Sequence, residues 1–102
     1  MGQIMEASLR VNDQPIEMNA FVESFLARTA LGAVSVLKGP DDIQSVVLQV
    51  QKGGAISIEV NGEDIPMTPF PGEIIANTLI GLVSSLRGVD EIESMKANVR
   101  IM

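Results

Sequence analysis

Along this chain, stretches of strict apolar–polar alternation are interleaved with stretches in which apolar residues recur at helical spacing. Ala55-Ile-Ser-Ile-Glu-Val60 alternates, the period of a strand buried on one face. Asn61-Gly62 follows. Both central positions of a type I′ turn need positive φ, so this dipeptide predicts a tight hairpin. Glu63–Met67 is then the return strand, and Pro66, which donates no ladder hydrogen bond, puts it at a sheet edge. Thr68-Pro69 reads as a helix start, a hydroxyl N-cap followed by proline at the first helical position. Phe70, Ile74, Ile75, Leu79, Leu82, Val83 and Leu86 recur at helical spacing. Arg87 and Gly88 suit the helix end. Ser94–Ile101 alternates again, with Met95, Ala97, Val99 and Ile101 on one side and Ser94, Lys96, Asn98 and Arg100 on the other.

The same order of signals occurs earlier in the chain. Leu9 and Val11 face inward, Asn12-Asp13 turns, and Pro15 opens a return strand. Asn19 caps a helix that runs to Lys38 with Gly39 behind it, and Val46, Leu48 and Val50 line a last strand. A shift of 49 residues aligns Ser8–Val50 with Ser57–Val99 without a gap, and 17 of the 43 pairs are identical. Asn12/Asn61, Ile16/Ile65, Phe21/Phe70, Ala27/Ala76, Gly32/Gly81, Ser35/Ser84 and Gly39/Gly88 are among them.

The pattern predicts an α+β fold, a single domain over residues 1–102 made of two ββαβ repeats, about 5–52 and 54–102. The expected architecture is a two-layer α/β sandwich: a six-stranded, mostly antiparallel sheet with both helices on one side. Within a unit the expected strand order is 2-1-3 with a right-handed crossover. The joint Lys52-Gly53-Gly54 is short and would hairpin the third strand of the first unit onto the first strand of the second. Exchange of the third strands about a pseudo-twofold axis, giving two intertwined three-stranded sheets, is therefore the alternative. A unit of ~50 residues has too small a core to stand alone.

Composition then narrows the chemistry. Thirteen acids against seven bases give a net charge of −6, which disfavours nucleic acid, whose phosphates need a basic footprint. No apolar run approaches the ~18 residues that span a bilayer, so no membrane partner is expected. The first residues lack the basic segment and apolar core of an export signal, which makes the cytoplasm the expected location. There is no cysteine and no histidine, so thiolate nucleophiles, disulfides and sulfur-ligated metals are excluded, and the commonest general base is missing. Catalysis by the remaining residue types needs an activated nucleophile or two carboxylates in different environments. Neither can be placed, and Asp64 is a carboxylate without a visible partner. No catalytic residue, metal ligand or cofactor is assigned. The expectation is a non-enzymatic binding or assembly module whose partner is another protein or a second copy, with a small carboxylate-dependent enzyme as an alternative.

Gly32 and Gly81 fall in mid-helix at matching positions, where glycine costs about 1 kcal/mol against alanine. With Ser35 and Ser84, and Gly39 and Gly88 beyond, they make a stripe of small residues. One reading is close approach of helix to helix or helix to sheet. The other is a groove for a ligand or partner, lined by Thr29, Ser35, Thr78 and Ser84. Glu23 and Glu73 in the first helical turns complement the helix dipoles and argue against anion sites there. Asp41-Asp42, Asp90-Glu91 and Glu93 lack the alternate-ligand spacing of a calcium loop and read as solvated. Arg10, Gln49, Gln51, Glu59, Lys96, Asn98 and Arg100, with Val47 among them, form an outer sheet face that is either solvated or an assembly surface.

Val60-Asn-Gly-Glu-Asp-Ile-Pro-Met-Thr-Pro-Phe70, with Asn77-Thr78 and Gly81-Leu-Val-Ser-Ser-Leu-Arg-Gly88, resembles a small prokaryotic module of unknown function, found in archaea among others. The same stretch is similar to tail segments of some molybdopterin-guanine dinucleotide biosynthesis proteins of the GTP-binding type. The resemblance covers one unit at a time, so the chain looks like two copies in tandem. It implies an accessory, docking role in molybdenum-cofactor maturation. It carries over no catalytic residue, and the Gly-x-x-x-x-Gly-Lys-Ser/Thr loop of nucleotide binding is missing.

Overall fold

The computed structural model describes residues 5–36, 42–53, 55–66, 69–86, 89 and 91–101. In chain order these form β1 (Met5–Val11), β2 (Gln14–Pro15), α1 (Ala20–Ser35), β3 (Ser45–Gln51), β4 (Ile56–Val60), β5 (Glu63–Asp64), α2 (Pro69–Ser84) and β6 (Ser94–Ile101). The fold is α+β, with one six-stranded antiparallel sheet and two helices. The expected cap at Thr68 lies outside the described residues. α1 does not run to Lys38: it ends at Ser35, with Val36 as its C-cap, and α2 ends at Ser84, while Lys38-Gly39 and Arg87-Gly88 lie outside the described residues.

Local chemistry accounts for the turns and the start of α1. Asn12 and Asp13 take φ of 53° and 64°, and Asn61 and Gly62 take 53° and 83°, the left-handed pairs a two-residue hairpin requires. Asn19 caps α1, its side chain accepting a hydrogen bond from the Val22 N–H at 2.8 Å. The return strands are only two residues long; Pro15 ends β2, and Pro66 lies two residues beyond β5. Short, proline-flanked outer strands blunt the sheet edges against pairing with another chain.

The strand order is β2-β1-β6-β3-β4-β5. The expected 2-1-3 order within each unit does not hold, because β6 lies between β1 and β3. The joint is the physical reason. Gln51 N–H donates to Ala55 C=O at 2.9 Å, and Gly53 at φ 99° closes a hairpin that seats β4 on one edge of β3. The free edges of β1 and β3 then both accept β6. Each helical crossover, β1–α1–β3 and β4–α2–β6, skips one strand of the other unit.

The pairing registers recur 49 residues on. Ala7 faces Val99 as Ile56 faces Val50, and Ser45 faces Arg100 as Ser94 faces Gln51. Leu48 faces Ala97, its own alignment mate.

The register also sets the core. Leu9, Ala97, Leu48 and Ile58 form one row across the four long strands, and Val99, Val46 and Val60 share another. All of these are buried. They join Leu26, Ala27, Ala30 and Val34 of α1 and Ile75, Ala76, Leu79 and Val83 of α2 in a single cluster. The two helix sets are alignment mates, residue for residue. α1 packs against β1 and β3, and α2 against β4. The neighbouring rows, Ser8-Asn98-Val47-Glu59 and Arg10-Lys96-Gln49-Ser57, are polar apart from Val47 and point the other way. Among the described residues no polar or charged side chain is buried, and no helix is long and apolar enough to cross a membrane.

Candidate functional site

Two features stand out from this scaffold: the clamps at the entries to β3 and β6, and the apolar outward face of the helices. Each clamp is an asparagine in a hairpin turn. Asn12 accepts from the N–H groups of Glu93 and Ser94 at 2.7 and 3.0 Å and donates to the Glu91 carbonyl at 2.6 Å. Asn61 accepts from Gln44 and Ser45 at 2.7 and 3.1 Å and donates to the Asp42 carbonyl at 2.7 Å. Each turn therefore grips the entry to the other unit's last strand. The acidic loops serve here through backbone carbonyls. Among the described residues no cluster of three or more His, Cys, Asp or Glu could hold a metal ion; Asp41 and Asp90 lie outside them.

The outward helix faces follow from periodicity. Phe21, Phe25, Arg28 and Gly32 occupy positions i, i+4, i+7 and i+11 of α1, and a face that includes an arginine and a glycine does not belong in the core. Phe21 is 72% exposed, Phe25 52%, Val36 81% and Ile74 50%. The Phe21 and Phe25 rings lie 5.9 Å apart at a tilt of 54°, a favourable aromatic pair left on the surface. Between them and the end of α2 runs an open apolar groove of about 250 Å³, lined by Phe21, Val22, Phe25, Leu82, Ser85 and Leu86. Arg28 and Glu73 are the charged side chains exposed on these helix faces among the described residues.

The stripe of small residues borders this surface without lining the groove. Gly32 and Gly81 are exposed, and a Cβ at either would meet nothing within 4 Å, so no close approach inside the chain calls for glycine there. Ser35 and Ser84 donate to the carbonyls of Gly32 and Gly81 at 2.8 and 3.1 Å, and Thr78 donates to Ile74 C=O at 2.7 Å. Such back-bonding uses up the hydroxyl donors within the helix itself. Thr29 is half-buried.

Glu23 lies in the first turn of α1, as expected, and makes a further contact with the sheet. Its carboxylate accepts from Ala7 N–H of β1 at 2.9 Å, closing part of that strand's open edge. Glu73 falls beyond the first turn of α2. Asp64, in β5, is exposed. Every described carboxylate is at the surface or partly so, and the pairing of a buried with an exposed carboxylate that acid–base catalysis uses is not formed among them.

No protein-family model, curated protein or solved structure matches this chain.

Proposed function

We propose that this chain is a non-enzymatic assembly module that associates with a second copy of itself through its outward helix faces. The observation that carries the proposal is the Phe21–Phe25 pair, two large aromatic side chains largely in water beside an apolar groove. Burying one phenylalanine side chain is worth about 1.5–3 kcal/mol, so leaving two exposed is a cost that docking would remove. Electrostatics fit a second copy. The face carries one exposed base on α1, Arg28, and one exposed acid on α2, Glu73. Two copies laid α1 against α2 would pair them. The molecule measures 36 × 34 × 18 Å between Cα extremes, and its broad faces offer room for the roughly 800 Å² per partner of a standard interface.

The same reading treats the fold as a tandem ββαβ duplication, a two-layer sandwich with a pseudo-twofold axis at the Leu48–Ala97 pair. Three observations support it. The pairing registers recur at a spacing of 49 residues. So do the asparagine clamps and the buried helix residues. The buried sheet residues share one face and one cluster with both helices. On this reading the expected setting is the cytoplasm, with no nucleic acid or membrane as partner.

Sedimentation velocity over a concentration series tests the function. The wild-type chain should dimerise. Phe21→Glu with Phe25→Glu should give a monomer whose melting is nearly unchanged, since exposed substitutions usually shift stability by no more than about 0.5 kcal/mol. A wild-type chain that stays monomeric at every concentration would overturn self-association.

A further inference from the structure

We propose that the polar face of the sheet holds a binding site for one oxyanion group, a carboxylate or phosphate of a small molecule, between Arg10 and Lys96. These residues face each other across the β1–β6 ladder. Like charges directly opposite on neighbouring strands are destabilising, and this chain is otherwise acidic, with a net charge of −6. Two adjacent cations are therefore a local choice that neither folding nor overall charge explains. Among the described residues neither has an acidic partner at ion-pair distance; the one ion pair is Lys52–Glu93. Arg10 is held by its own turn, Nη2 donating to the Asp13 carbonyl at 2.8 Å.

The two cations line a groove of about 290 Å³, shared with Gln49, Gln51, Ser94 and Asp13. The glutamine amides and the serine hydroxyl can donate to an oxyanion alongside the cations, and charge-assisted hydrogen bonds of this kind are the strong ones. Asp13 leaves the lining with one net positive charge. That balance suits a single anionic group better than a polyanion.

Comparison of the two units sharpens the point. The alignment mates of Arg10 and Lys96 are Glu59 and Val47, which face each other across β3 and β4. The core positions are apolar in both units, whereas this pair is two cations in one half of the sheet and an acid with an aliphatic residue in the other. The pair of cations is thus particular to one half of the sheet.

Titration of the ¹⁵N-labelled chain with inorganic phosphate, and separately with succinate, tests the site, and the anion that saturates at the lower concentration identifies the source of the oxyanion. Either anion should saturably shift the Gln49 and Gln51 side-chain amides, and should raise the melting temperature. Lys96→Gln should weaken binding about tenfold, as expected for loss of one charge-assisted hydrogen bond. Its melting without anion should equal or exceed that of the wild type, because the repulsion is gone. Shifts that chloride reproduces at equal ionic strength would overturn the site. So would shifts that persist unchanged in both Lys96→Gln and Arg10→Gln, or saturation by an oligonucleotide and by neither small anion.

Discussion

At the scale of single residues, Asn12 and Asn61 do more than make turns. The hairpin role was legible, because Asn12-Asp13 and Asn61-Gly62 are residues that tolerate positive φ, which they adopt. Their second role was not legible. Nothing in a dipeptide says that its side chain will satisfy three backbone groups, and the partners lie 79 and 19 residues away for the two donated bonds. Glycine suits the same φ, so Asn12→Gly and Asn61→Gly remove the clamp without straining the turn. Each should lower unfolding stability by about 1–2 kcal/mol, the net worth of a few exposed hydrogen bonds. Chemical denaturation measures this directly, and unchanged midpoints would mean that the clamps contribute nothing.

At the scale of elements, the strands and the start of α1 were legible and the outward helix faces were only half so. Asn19 has the cap chemistry that fixes where α1 begins, and Ala55–Val60 has the alternation that fixes which side chains of β4 turn inward. The helices are harder to orient from sequence. Their apolar residues run much of the way round, so Ile74 reads as core by spacing and yet lies half in water, while Ile75 beside it is buried. When a helix is apolar on more than one face, spacing alone does not choose the buried one. The glycines illustrate the same point. Gly32 and Gly81 suggest tight packing, but a Cβ at either enters open space. Gly32→Ala and Gly81→Ala should therefore each stabilise the monomeric fold by about 0.5–1 kcal/mol, through lower backbone entropy in the unfolded chain. Thermal melting is the measurement. If instead a variant weakens self-association in sedimentation, the glycine is making room for a second copy.

At the scale of the whole molecule, the length of one joint decides the topology. The repeat says that two equivalent sets of strands exist, but equivalence cannot say which third strand pairs with which first strand. The Lys52–Gly53 turn supplies that information by committing β3 to β4, which leaves β6 to bridge β1 and β3. Every interface between long strands then joins residues of both aligned segments, and the buried residues form one cluster. The helix face proposed for assembly and the sheet groove proposed for an anion both depend on this arrangement. Arg10 and Lys96 come from different units and meet only because the third strands have changed places.

The natural absence of cysteine allows that arrangement to be tested by cross-linking. Ser8 faces Asn98 across β1 and β6 on the polar side of the sheet. Facing residues of an antiparallel ladder are about 4.5–5.5 Å apart at Cα, within reach of a disulfide. Val47 of β3 lies one strand further away, in the same row. Oxidation of Ser8→Cys with Asn98→Cys should give an intramolecular disulfide in the monomeric fraction, seen by mass spectrometry, while Ser8→Cys with Val47→Cys should stay reduced. A disulfide formed by the second pair and not the first would place β1 beside β3 and contradict the exchanged sheet.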